Sequence, residues 1–483
     1  MKLLIDTNIY IPLEPTSPSE LTAVSSLAAK LAELAARTST QLWLHPAQRV
    51  DIAQDRELVR RRGRELLFDK YPVLNLPLSG QPEQRTNDWV DEQLVSALRS
   101  NAVTALVTED KRLTKRAVQE LGPERVLTLA DAIASLSALL DQPVEPPPSV
   151  ESVAAYSLNG KDPFWDSFRA QYEGFDRWFA RCQQEHRQSW MIRAPDGQGI
   201  AGAAIVNPEL QEVRGKKTLK ICSLKVDSAH SGRRYGELLL KTIFHYAYQN
   251  GFDTLFITAF PEHQQLIALL LEFGFREDES SRTNSELSFT KHLDRSDPQS
   301  PTVDPLAFFV DRGPFVIDLY GPLAFLVPIL PVYHRMLFPE LQQQLPLTHA
   351  SQAYGNSLRK AYLSSSPITL LQPGAVLYFY RSDDARAVNA WGVVEEVLRS
   401  ESADEIGGFV LPRTVYSGVE IKRMCSRGPV LAIMFRQILR RIEPQISFRM
   451  MRAGGALNGP PQSITKLAPK GQEWMRNQCQ KLS

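Results

Sequence analysis

Hydrophobic and polar positions change their period several times along the chain. "KLLIDT" places an unbroken apolar run before Asp6, the pattern of a strand buried on both faces. "SELTAVSSLAAKLAELAARTS" then repeats leucine and alanine at helical spacing. Strand "QLWLHP", a charged helix around 47–69, strand "YPVLNLP" and helix "NDWVDEQLVSALRSN" come next, followed by strand "TALVTED", helix "KRLTKRAVQELG", strand "RVLTL" and helix "ADAIASLSALLD". Strands alternating with helices across short links predict a parallel α/β sheet.

Beyond residue 150 the order changes. Helical "FWDSFRAQYEGFDRWFARCQQEHRQ" leads into strands "SWMIRA", "GIAGAAIVNP" and "TLKICSLKVD". A long amphipathic helix inside "SAHSGRRYGELLLKTIFHYAYQNGF" precedes strand "TLFITAF", helix "HQQLIALLLEFGF" and a hairpin-like "REDESSRTNSELSFTKHL". After 305 strand signals dominate, in "FFVDRGPFVIDLYG", "AVLYFYRS", "NAWGVVEEVLRS" and "PVLAIMFRQI". Proline-rich breaks at 141–152 and 294–305 divide the chain, and 483 residues exceed what a single core sustains. The expected domains are 1–140, 153–293 and 306–483.

Composition narrows the class. With 43% hydrophobic and 23% charged residues the chain is ordinary for a folded globular protein. Cys182, Cys222, Cys425 and Cys479 are widely spaced, with no CxxC pair and no leader pattern, so the expectation is a cytoplasmic protein without a disulfide framework or zinc cluster. "GPLAFLVPILPVY" carries three prolines and is too short to span a bilayer, so it reads as core rather than membrane. Residues 1–140 hold 17 basic and 18 acidic side chains (−1), 141–305 hold 18 and 23 (−5), and 306–483 hold 20 and 13 (+7). The last third is therefore the place expected to meet an anionic partner such as RNA.

Carboxylates mark the first segment. Asp6 and Asp110 end strands, Asp51 follows "QLWLHP", and Asp88 and Asp91 open the helix before "TALVTED". Functional groups gather at the carboxyl ends of parallel strands, and clustered acids are costly unless a divalent cation offsets them. Singly, each has a plainer reading, as a helix cap, a solvated charge or a turn. Taken in order, "LLIDTN", "RVDIAQD", "VDEQLVSAL" and "LVTEDKRL" resemble the PIN domain family of metal-dependent ribonucleases. The resemblance implies catalytic Asp6, Asp51, Asp91 and Asp110, with Asp6, Asp91 and Asp110 holding Mg²⁺ or Mn²⁺ and Thr7 or Asn8 supporting the first acid. Asp51 stands where that family often has glutamate, and Asp88 competes with Asp91. The run "RRRGR", with Arg60, Arg61 and Arg62, is either a phosphate-backbone contact or a solvated helix face.

In the middle segment a loop with Gly232 and Gly236 opens a long helix after a strand, offering backbone N–H groups and a positive dipole to an anion. Residues 164–290, with "EFGF" near their end, resemble the GNAT family of acetyl-CoA-dependent acyltransferases. That resemblance implies acetyl-CoA held by Ser231, Gly232, Arg233, Arg234, Tyr235 and Gly236, with Leu224 and Val226 on a splayed strand beside the thioester. "SGRRYG" departs from the family loop, with Ser231 first and Arg234 where a glycine is usual. Leu270 replaces the tyrosine often used as general acid, and Tyr235, His230 and His263 are the nearby alternatives.

The last segment, through "QPGAVLYFYRSDDARAVNAWGVVEEV" and "ISFRMMRAGGALNGPPQSITKL", resembles the PUA-like β-barrels, including ASCH and EVE domains. It implies RNA binding, with Arg381, Arg413 and Arg423 among the contacts and Tyr378, Phe379 or Tyr380 stacking bases only where they face outward. The expected protein is a bacterial-type fusion of α/β and α+β domains: a PIN-like parallel sheet, a GNAT-like mixed sheet and a PUA-like barrel. It would act on RNA, plausibly tRNA, as a toxin or stress effector with an inhibitor protein and possible homodimer partner. The alternatives are an acetyl-CoA-dependent acyltransferase of a protein or small molecule with a non-catalytic N-terminal scaffold, and a non-enzymatic RNA-binding regulator.

Overall fold

The structure is a computed structural model. It describes all residues except 1, 17–19, 21, 39, 77, 79–85, 123–124, 139–149, 195–198, 209–216, 231–232, 279–285, 294–303, 316–322, 342–356, 411–412 and 482–483. Most of both proline-rich breaks, and the loop residues Ser231 and Gly232, thus lie outside the described residues. Two compact units emerge. The first comprises Met1–Gln142, Arg399–Pro412 and Tyr416–Val430, and the second comprises Pro143–Leu398, Arg413–Val415 and Leu431–Ser483.

In the first unit β1 (Lys2–Ile5), β2 (Gln41–Trp43), β3 (Ala105–Val107) and β4 (Val126–Leu127) form a parallel sheet in the order β2-β1-β3-β4. The apolar runs make this sheet because Leu3, Leu4, Ile5, Leu106 and Val107 are buried, each worth about 1.5–3 kcal/mol of transfer free energy. Helices α1 (Thr7–Leu13), α2 (Ala23–Arg37), α3 (Arg49–Ala53), α4 (Leu58–Phe68), α5 (Asn87–Arg99), α6 (Lys111–Leu121) and α7 (Leu129–Ala138) complete the alternation. Caps set their starts: Thr22 for α2, Thr86 for α5 and Asp110 for α6. The single charged helix expected around 47–69 is two helices, because the chain leaves helical geometry between Ala53 and Leu58. "YPVLNLP" contributes only an isolated bridge from Val73 to Leu44 rather than a strand. Two later helices, Ala403–Val410 and Gly418–Cys425, belong to this unit although they lie within the stretch expected as the C-terminal domain.

The second unit holds two sheets. Strands β5 (Val150–Ala154), β6 (Gln188–Arg193), β7 (Ile200–Pro208), β8 (Thr218–Val226), β9 (Thr254–Ala259), β10 (Arg276–Glu277) and β11 (Leu287–His292) run in the order β10-β11-β9-β8-β7-β6-β5, antiparallel except for β8 beside β9. Helices α8 (Asp166–Gln171), α9 (Phe175–Gln184), α10 (Tyr235–Gln249) and α11 (Gln264–Glu272) pack around it. Helix α12 (Pro305–Arg312) takes in "FFVDR", the start of the stretch expected as strand; Asp304 accepts from Ala307 N–H and Pro305 begins the helix.

The second sheet comprises β12 (Ala324–Ile329), β13 (Arg359–Ser364), β14 (Val376–Arg381), β15 (Ala387–Ser400), β16 (Val430–Gln437), β17 (Ile446–Ser447) and β18 (Thr465–Lys466), with α13 (Pro331–Leu337) beside them. Its order is β13-β16-β15-β14-β12-β18, with β17 on β15. Among the described residues this path is open, so the expected closed barrel is corrected to a mixed sheet. Tyr378, Phe379 and Tyr380 are all buried core residues, so none of them presents a face for base stacking. The core of the first sheet takes in Phe315, Leu358 and Leu439, and Tyr248 of α10 stacks on Phe315 with ring centroids 4.2 Å apart. Helix α10 is therefore held from both sides within one continuous core. No described helix is long and apolar enough to cross a membrane.

Candidate functional site

The opening at the end of β8 begins with a register change. Ile205 pairs with Ser223 and Val206 with Ile221, which leaves Cys222 as the extra residue of a bulge against β7. The parallel ladder between β8 and β9 runs from Thr218 opposite Thr254 to Ile221 opposite Ile257, and β8 then continues to Val226 along β7. The two strands thus part at the bulge, and Leu224 and Val226 lie on the parted portion.

Helix α10 starts at the same end. Its N-cap, Arg234, has φ 57° and ψ 26°, a left-handed conformation that a glycine takes more cheaply. Tyr235 is buried, and its ring lies 6.2 Å from that of His230. A Cβ on Gly236 would sit 3.1 Å from Leu269 Cδ2 and 4.0 Å from Val226 Cγ2, so the absent side chain lets α10 approach both α11 and the end of β8. The first turn of this 15-residue helix has no side-chain cap from Arg234 and offers its N–H groups and the positive end of its dipole.

Across the opening, Lys225 Nζ donates to Ser167 Oγ at 2.7 Å and to the Phe164 carbonyl, and lies over the rings of Phe164 and Phe168. This fastens α8 to β8. Tyr172 packs on Phe260 at 5.0 Å between centroids, and His263 Nε2 is 3.1 Å from Gln171 Oε1. Burial and Glu286, which accepts from its hydroxyl, push the Tyr172 phenol up to about 12. Leu270 is buried and carries no proton to donate.

Behind α10 lies an ion network that sequence reading missed. Glu237 Oε1 is 3.2 Å from Arg234 Nη1 and 3.3 Å from Arg413 Nη1, while its Oε2 accepts from Ser357 Oγ at 2.7 Å and Leu358 N–H at 2.9 Å. Arg413 also donates to Ser357 Oγ, the Arg359 carbonyl and Glu272. Arg359 joins Glu272 to Glu395, and Arg436 binds Glu395 and the Glu272 carbonyl. Burial would raise the Glu237 carboxyl, yet Arg413 and Arg234 hold it below the usual range. Arg413 is 0% exposed, so the expected RNA contact there is corrected: its charge is spent inside the protein. With Arg359, Arg413 and Arg436 enclosed, the positive excess of the last third is smaller at the surface than the count suggested. Of the other arginines proposed for RNA, Arg60 pairs with Asp55 and Arg381 with Asp384. Arg62 and Arg423 are exposed, and Arg61 is partly exposed. Arg60, Arg61, Arg62 and Arg423 belong to one unit, and Arg381 and Arg413 to the other.

In the first unit the acids do face one another. Asp6 Oδ1 accepts from Thr7 N–H at 2.6 Å, and Oδ2 accepts from Asn8 Nδ2 at 2.6 Å and Thr108 Oγ1 at 2.7 Å. Thr7 Oγ1 donates to Asp51 Oδ2 at 2.8 Å, while Asp51 Oδ1 is buried without a hydrogen bond. Burial, with Asp51 and Asp110 adding repulsion, pushes Asp6 up to about 6. Burial, then Asp6, Asp110, Asp51 and Asp88, does the same to Asp91. Asp110 Oδ1 caps α6 through Arg112 and Leu113 N–H. Thr7 and Asn8 thus support Asp6 as expected, and Thr108 is a further support. The expected Mg²⁺ or Mn²⁺ set is not found: among the described residues no group of three or more His, Cys, Asp or Glu is placed to hold a metal ion.

Residues 154–275 match the family model described as the acetyltransferase (GNAT) family. The chain is also similar to solved structures over part of its length. A putative acyl-CoA N-acyltransferase from Klebsiella pneumoniae shares 17% identity, covering 30% of this chain and 97% of that one at a TM-score of 0.24. IAA acetyltransferase from Bacillus cereus shares 16%, covering 30% and 99% at 0.24. ASCH from Zymomonas mobilis shares 12%, covering 32% and 94% at 0.24. Similarities at these scores carry no residue roles. No match was found among curated proteins.

Proposed function

We propose that the protein is an acyl-CoA-dependent N-acyltransferase whose cofactor lies between the parted ends of β8 and β9 and the first turn of α10. The observation that carries this reading is the coincidence, in the GNAT-matching stretch, of the bulge at Cys222, the parted strands and the glycine-permitted approach of α10. An anion suits the helix start, and an extended pantetheine chain suits the free edge of β8 beside Leu224 and Val226. Arg233, Arg234, Tyr235 and Gly236 frame the diphosphate end; the buried Tyr235 shapes the loop rather than meeting substrate.

In the transfer an amine nitrogen attacks the thioester carbonyl, the C–N bond forms as the C–S bond breaks, the amine gives up a proton and the leaving thiolate gains one. We assign the movement of these protons to His263, held by Gln171, and to the Tyr172 hydroxyl, paired with Glu286. The metal-dependent ribonuclease reading is not carried into this proposal, since no metal-holding group of carboxylates is found among the described residues.

The test is release of coenzyme A thiol from acetyl-CoA by the full chain, screened against protein, tRNA and polyamine acceptors. Acceptor-dependent release supports the reading. Release equal to spontaneous hydrolysis with every acceptor class, together with no binding of coenzyme A, refutes it.

A further inference from the structure

We propose that Arg413 is a positioning residue for the acyl-CoA site: it offsets the carboxylate of Glu237, so that Arg234 and the first turn of α10 remain electropositive toward the cofactor's diphosphate. This rests on the acyltransferase reading above.

Glu237 is the third residue of α10 and only 1% exposed. A carboxylate in a first turn is favourable for the helix itself, yet it opposes a second anion at the same helix end, because it cancels a terminal charge of about half a unit. Without compensation the site would be poor for a diphosphate. The ion network supplies that compensation. Four arginines, Arg234, Arg359, Arg413 and Arg436, face three glutamates, Glu237, Glu272 and Glu395; Arg413 reaches both Glu237 and Glu272, so the network leaves the charge of Arg234 in excess. Arg234 also retains a buried Nε with no hydrogen-bond partner among the described residues.

Arg413 reaches this position from outside the matched family region. Residues Arg413–Val415 belong to the second unit, whereas the chain on either side, Arg399–Pro412 and Tyr416–Val430, belongs to the first. Ala361 of β13 donates its N–H to the Arg413 carbonyl at 2.9 Å and forms an isolated parallel bridge with Thr414. That short return anchors the backbone, and the 0% exposed side chain acts on the cofactor only through Glu237.

The experiment is calorimetric titration of the full chain with coenzyme A and, separately, with pantetheine, which lacks the diphosphate. Arg413→Met is expected to weaken coenzyme A about tenfold, the order of effect of an uncompensated like charge, and to leave pantetheine unchanged. Arg413→Lys is expected to keep coenzyme A binding, and the double variant Glu237→Gln with Arg413→Met to restore it to within about threefold. Equal weakening of both ligands would mean a merely structural role and overturn the proposal, as would unchanged coenzyme A binding in Arg413→Met. Should Arg413→Met fail to fold, Glu237→Gln alone is expected to bind coenzyme A more tightly, and unchanged or weaker binding overturns the proposal. Wild-type protein that takes up no coenzyme A overturns the acyltransferase reading itself, and this inference with it; wild-type binding with a silent variant set overturns this inference alone.

Discussion

Replacing Asp91 with asparagine should stabilise the first unit at neutral and alkaline pH, and should do so much less in acid. Asp91 is half-buried, and burial together with Asp6, Asp110, Asp51 and Asp88 moves its carboxyl from 3.8 to about 6. A raised folded-state pKa means that the folded unit binds the proton more tightly than the unfolded chain. The carboxylate therefore costs nothing below pH 3.8, and its penalty grows through the interval to about 6 and is complete above it. At roughly 1.4 kcal/mol per pH unit the ceiling is about 3 kcal/mol. Solvent screening of a half-exposed group brings the expected gain from Asp91→Asn to about 1 kcal/mol. For a unit of this size that is a rise of about 2–4 °C in Tm. Calorimetry of the full chain at pH 8 and pH 3.5 would read it, with the pH-sensitive transition assigned to this unit. A shift of the same size at both pH values, or a loss of stability at pH 8, would refute the claim that burial and the neighbouring carboxylates together penalise the charged form of Asp91.

Other substitutions probe the second unit. Gly274 has φ +77°, and a Cβ there would lie 1.9 Å from the Val310 carbonyl, so Gly274→Ala should cost about 3 kcal/mol or more in denaturant melts and displace α12. Gly236→Val should crowd Leu269 and Val226 and weaken coenzyme A binding in a titration, with a smaller loss of stability than Gly274→Ala. Lys225→Met removes the donor that ties β8 to Ser167 and Phe164, and hydrogen exchange should quicken in α8 while α10 stays protected.

Much of the order of strands and helices through the first 290 residues was legible because those elements carried their own period, as in "KLLIDT" and "QQLIALLLE", whereas the bridge at Val73, the division of the 47–69 helix and strand β5 were not. So were the supports of Asp6, since Thr7 and Asn8 are adjacent in sequence. Thr108 was not singled out, although it stands two residues before Asp110, because a hydroxyl at a strand end has no distinctive pattern. "FFVDR", the start of "FFVDRGPFVIDLYG", gives a strand signal through its aromatics but lies in a helix that begins with the Asp304 cap and Pro305. Arg413 lay beyond reach for a different reason: its partners Glu237, Glu272 and Ser357 are far away in sequence, and a buried arginine reads like a surface one until the fold encloses it. The open order of the second sheet likewise depends on long-range pairing that no local pattern encodes.

The acyl-CoA site is tested most directly by hydrogen exchange of the full chain with and without coenzyme A. The account predicts saturable protection confined to β8 through Val226 and to the start of α10 from Arg234. Unchanged exchange in both segments at millimolar coenzyme A would contradict it.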